Sequence, residues 1–111
     1  MAVTVVPIIP AKLAEDAQTA QYTSSNAVTV IDKFTGTNTS ANNETISVNI
    51  VPSGGTAADE NLIVDTRTIA PQETYTFPEL VGHALVNGSS ISTISSSATA
   101  IVIRATGRVI T

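Results

Sequence analysis

The sequence predicts an all-β fold, a two-sheet antiparallel β-sandwich or jelly roll with an extended N-terminal arm. Three observations carry this. The chain holds 17 Thr, 12 Val and 12 Ile against 4 Leu, and branching at Cβ stiffens a side chain in a helix while suiting a pleated sheet. The stretch ETISVNIV alternates strictly, with Ile46, Val48 and Ile50 on one face and Thr45, Ser47 and Asn49 on the other; this is the period of a strand covering a core. Turn signals also recur at roughly the 8–12-residue spacing expected of a sandwich.

Taken in order, residues 1–18 read as an arm and short linker, and residues 19–111 as the sandwich domain. Val3, Val5, Val6, Ile8 and Ile9 form an apolar run with no charge before Lys12, broken by Pro7 and Pro10. Proline donates no ladder hydrogen bond, so the run does not suit a central strand. It is expected to dock on another chain by strand addition or groove packing, its removal leaving the domain folded. An edge strand of its own domain is the other reading. LAEDAQTA is a short helical candidate. AVTVIDKFT places Val28, Val30 and Phe34 on one face with Asp32 interrupting, and TGTNTSANN reads as a long hairpin loop before the ETISVNIV strand.

Val51-Pro52 closes that strand, SGGTAADE is a flexible loop, and NLIVDTRTI is the next strand. Ala70 to Glu73 and Asn87-Gly88 are turns. Between them lie the short ETYTF and PELVGHALV, the latter able to form one helical turn from Pro78 to Gly82. SSISTISS precedes the closing strand. In that strand Ile101, Ile103 and Ala105 share one face and Ala100 and Val102 the other, so the middle is expected to be covered on both sides within a sheet. Gly107 permits a bend or bulge, after which Arg108, Val109 and Ile110 are expected to meet another subunit.

The 111 residues make one domain. They are 42% hydrophobic and 13% charged, the latter about half the usual share of roughly 25%, which argues against disorder. Net charge is −4, and the basic residues Lys12, Lys33, Arg67, Arg104 and Arg108 are scattered along the sequence. Phosphate neutralisation needs clustered cations, so no nucleic-acid partner is expected. No apolar run is long enough for a membrane span, and no membrane partner is expected. The first ten residues lack the basic start of a signal peptide, so synthesis in a cytosol without processing is expected.

Catalysis is not expected either. His83 is the single histidine and no G-x-S-x-G elbow surrounds any serine, so nucleophile–base chemistry has no visible constellation. Cysteine is absent, excluding disulfides and thiolate metal sites. Asp59, Glu60 and Asp65 lack the alternating oxygen ligands of a calcium loop, and Gly54-Gly55 is followed by neither the lysine nor the helix of a phosphate loop. The expected catalytic, cofactor and metal residues are therefore none.

The segment from Glu60 to Thr111 resembles the C-terminal half of small β-sandwich structural proteins of tailed bacteriophages. The residues that carry this are A-P-x-E-x-Y at Ala70 to Tyr75, P-E-L-V-G at Pro78 to Gly82, N-G-S-S-I at Asn87 to Ile91, and a closing strand ending in I-T from Ala98 to Thr111. Length and the apolar N-terminal run are most similar to capsid decoration (staple or cement) proteins of podophages of the epsilon-fifteen type. The resemblance implies a jelly-roll domain on the outer surface of a virion, made in the host cytoplasm. It also implies bridging of neighbouring major capsid protein subunits and pairing with a second copy as a homodimer. It supplies no catalytic motif. A tail, fibre or head–tail joint protein is the alternative, and a carbohydrate-binding module a weaker one, since only Phe34, Phe77, Tyr22 and Tyr75 could furnish aromatic platforms.

Overall fold

A computed structural model describes residues Met1 to Thr111. Nine strands form two antiparallel sheets: β1 (Val3–Leu13), β2 (Thr19–Thr23), β3 (Val28–Asn38), β4 (Glu44–Val51), β5 (Leu62–Ile69), β6 (Thr74–Tyr75), β7 (Ala84–Leu85), β8 (Ser90–Ser95) and β9 (Ile101–Ile110). The first sheet runs β1-β9-β3-β6, with β7 also beside β3, and the second runs β2-β8-β4-β5. A single 3-10 turn, Asp59–Asn61, is the one helical element, and no helix is long and apolar enough to cross a membrane.

The pairings show how the chain is wound. β1 pairs β9, β2 pairs β8, β3 pairs β6 and β7, and β4 pairs β5. This is one long hairpin with its tip at β4–β5. Rolling it up adds the β3–β9 and β4–β8 contacts, which gives a jelly roll. The closing strand therefore pairs with the opening one, and Ala2 and Thr111 exchange backbone hydrogen bonds of 2.8 and 2.9 Å.

Ile46 and Val48 are fully buried and Ile50 packs against the same core, the face that alternation predicts. Phe34 and Phe77 meet edge-to-face at 4.9 Å in its centre. Gly36 lies beneath them, where a Cβ would approach the Phe77 ring to 3.0 Å. Asn38 is the buried polar hub at the end of β3. Its amide donates to the carbonyls of Asn42 and Ile69, and its side-chain oxygen accepts from the Ser40 amide and hydroxyl.

The structure corrects several expectations, each for a local reason. The N-terminal run is no arm outside the domain; it is the edge strand β1. Register shifts fall between Val6 and Ile9 and between Ile9 and Lys12, so each proline sits at a bulge, where a missing donor costs little. The bulges also turn two consecutive side chains inward. Ile8 and Ile9 are 5% and 1% exposed and belong to the core, not to an interface. In β3 a third shift, between Ile31 and Lys33, reverses the phase around Asp32. Ile31 joins Phe34 inside, while Val28 and Val30 point outward.

TGTNTSANN is not a hairpin loop, because β3 and β4 lie in different sheets and the segment after Asn38 arches between them. Neither helical candidate is a helix. Ala14 to Gln18 bend from one sheet to the other, and Pro78 to Gly82 form hydrogen-bonded turns leading into β7. β9 does lie within a sheet, with Ile101, Ile103, Ala105 and Gly107 buried on one face; Ala100 just before it is buried too, but on the other face Val102 is only half-buried and Arg104 is exposed. Gly107 does not bend it away. The strand runs on to Ile110, and Gly107 instead faces the β3 bulge, where a Cβ would stand 2.5 Å from the Val30 carbonyl.

Candidate interaction surface

Register assigns the outer face of the first sheet. Val3, Ile110 and Val28 lie side by side across β1, β9 and β3. The next outward row is Val5, Arg108, Val30 and Ala84. The β3–β7 register taken one residue further sets Val86 beside Val28. Val3, Val5 and Val86 are more than half exposed and Val28 is 38% exposed, so a strip of valine and isoleucine crosses the end of the sheet where the two termini meet. A contiguous exposed apolar patch on a β-face is a feature of contact surfaces.

The candidate residues therefore divide. Val3, Val5 and Ile110 join this strip. Val6 and Val109 are half-buried against the core. Arg108 lies in the strip but is not a free charge, since its Nε donates to Asp32 at 3.0 Å. The strip also holds Val28, Val30 and Val86, which sequence reading missed. Asp32 between two apolar stretches was the available signal, because a charge that breaks phase in a strand marks a bulge.

The free side of β1 completes the surface. Ala2 exchanges both backbone bonds with Thr111, so by antiparallel alternation Thr4 and Val6 also face β9, while Val3 and Val5 turn their N–H and C=O groups to the open edge. Val3 to Val6 contain no proline, charge or bulge. Every other edge is blunted. The rest of β1 has Pro7, Pro10 and two bulges. β2 is five residues long and bulged. β5 carries Asp65, Arg67 and Thr66 at a φ of 50°, and β6 and β7 are two residues each. Edges left bare accept further strands.

Elsewhere many of the polar groups have structural partners. Ser24, wholly buried, donates to the Ala27 carbonyl and meets Thr29, which also bonds Tyr22. Asn49 and Asn61 tie the 3-10 turn to β4. Arg67 stacks on Tyr75 at 4.0 Å, and the Tyr75 hydroxyl donates to Glu79, a bond that holds its proton on above the ordinary phenol range. His83 is exposed in the turn before β7, where its backbone carbonyl accepts from the Ile31 amide. Asp59, Glu60 and Asp65 are exposed, and no group of three or more His, Asp or Glu side chains is gathered as a metal site would require. Comparison of the chain with protein-family models, curated proteins and solved structures finds no match.

Proposed function

We propose that the protein is a non-enzymatic structural component of a virion, seated on the outer capsid surface. There it joins neighbouring major capsid protein subunits and pairs with a second copy of itself. The observation that carries this reading is the bare Val3–Val6 edge beside the exposed valine strip, an arrangement suited to strand addition and apolar contact. The jelly-roll fold, common to capsid and lectin domains, and the resemblance of residues 60–111 to phage structural proteins support it.

The edge has the geometry for self-pairing. A two-fold axis normal to the sheet, beside Thr4 on the open side of β1, would set Val3 of one copy opposite Val5 of the other. Those residues carry the free hydrogen-bonding groups, so both pairs would exchange N–H···O bonds, with Thr4 opposite Thr4 between them. The valine strips of the two copies would become continuous. A shell that binds the protein only when assembled is stabilised by mass action.

The test compares shells with and without the protein. Decorated shells are expected to rupture at higher temperature, with copies on the order of hundreds per particle. About six or twelve copies would indicate a closed tail or collar ring, and equal rupture temperatures would remove the reinforcing role.

A further inference from the structure

Two of the five basic side chains have no anionic or aromatic partner within the molecule, and the fold brings these two together. Lys12 is paired with Glu15 at 2.9 Å, Arg108 with Asp32 at 3.0 Å, and Arg67 stacks on Tyr75. Lys33 and Arg104 are exposed and make neither a salt bridge nor a side-chain hydrogen bond. Register places Lys33 opposite Thr106 and Arg104 opposite Thr35 in successive rows of the outer face. These four residues line a hollow of about 190 Å³.

The juxtaposition is not what the overall charge suggests. Nine acidic residues outnumber five basic ones, yet neither cation is neutralised, and like charges on neighbouring strand positions repel. Two cationic donors and two hydroxyls lining one hollow suit an anion. Two cations are too few to track a nucleic-acid backbone, whose affinity grows with the number of phosphates neutralised. They suit one carboxylate, which guanidinium meets in a planar, two-bonded geometry and ammonium as a point charge.

We infer that the hollow walled by Lys33, Thr35, Arg104 and Thr106 is a carboxylate-binding site, occupied by an acidic side chain of the protein partner that covers the valine strip. The row of Arg108 and Val30 lies immediately before it on the same strands. One partner surface thus meets an apolar anchor and, one or two rows on at about 7 Å per pair of residues, a charged contact. That division of apolar centre and polar rim is usual in interfaces. The inference deepens the structural reading above, and its test does not depend on shells.

The probe is a hexaglutamate peptide, titrated into the protein at low salt with amide shifts followed by NMR, inorganic phosphate serving in a parallel titration. Saturable shifts confined to Lys33, Thr35, Arg104 and Thr106 are expected with the peptide. The Lys33→Gln/Arg104→Gln protein, altered only on an exposed face, should bind the peptide about tenfold more weakly or worse while its Ile101 and Ile103 amides stay protected from exchange. Absence of localised shifts, equal binding by the double variant, or a stronger response to inorganic phosphate than to the peptide would each overturn the site. Failure of the unaltered protein to bind shells, with the titration intact, would count against the capsid reading and leave the carboxylate site standing.

Discussion

The two halves of β1 are adjacent in one strand and follow opposite rules. From Pro7 to Leu13 the strand is bulged and proline-bearing, and it sends Ile8 and Ile9 into the core. From Val3 to Val6 it is regular and uncharged, with Val3 and Val5 exposed and their backbone groups turned to the open side. Protection of an edge can thus be applied residue by residue. The half that supports the fold is closed to further pairing, and the half that contributes little to the core is left open.

Substitutions in the two halves should therefore have opposite signatures. The largest effect is expected from Ile9→Asp, which buries a carboxylate without a partner and should cost roughly several kcal/mol, enough to unfold a small domain. Removal of Met1 to Pro10 should also unfold it, because it strips Ile8 and Ile9 from the core and leaves β9 unpaired along one side. A cooperative melt at an unchanged temperature for either protein would show that β1 is dispensable. Next comes Gly107→Val, where a side chain is forced against the Val30 carbonyl; a loss of about 1–3 kcal/mol in urea unfolding is expected.

Val5→Lys should leave stability within about 0.5 kcal/mol, the usual range for a surface change, and abolish self-association measured by sedimentation, since a lysine on an edge repels a second copy of itself. An unaltered dimer would move the self-contact away from β1. The smallest effect concerns Glu15, just past the supporting half. Hydrogen bonds from Gln21 and then Lys12 hold its carboxyl below its ordinary value. This contribution is present above the unfolded carboxyl pKa and is lost as pH falls through the folded one. Gln21→Ala should raise the Glu15 titration midpoint followed by NMR, with little change in melting because the pair is about 40% exposed.

Much of the fold was legible because its signals are local. β-Branched composition, the phase of Ile46 and Val48, and the turns at Ala70 to Glu73 and Asn87-Gly88 each follow from neighbouring residues. What failed was non-local. Nothing near Pro7 announces that β9, about a hundred residues later, will hold that strand in place. The rule that proline avoids central strands was sound; the step from there to a detached arm overlooked bulges. A bulge likewise moved Val28 and Val30 from the core to the surface, so part of the contact strip was hidden behind a single shift of phase at Asp32.

The wound pairing also orders events in time. Only β4 and β5 are both consecutive in the chain and hydrogen-bonded to each other; every other ladder joins segments separated by intervening strands. Loop closure over such distances slows folding. During synthesis the first strand leaves the ribosome long before its partner exists, so an uncharged valine-rich segment waits unpaired in a crowded solution. Rapid synthesis of many copies on neighbouring ribosomes would bring such segments together before any domain had closed, a setting that favours aggregation over folding. A C-terminally truncated chain should accordingly collect in inclusion bodies, and supplying the β9 peptide during translation should restore soluble protein.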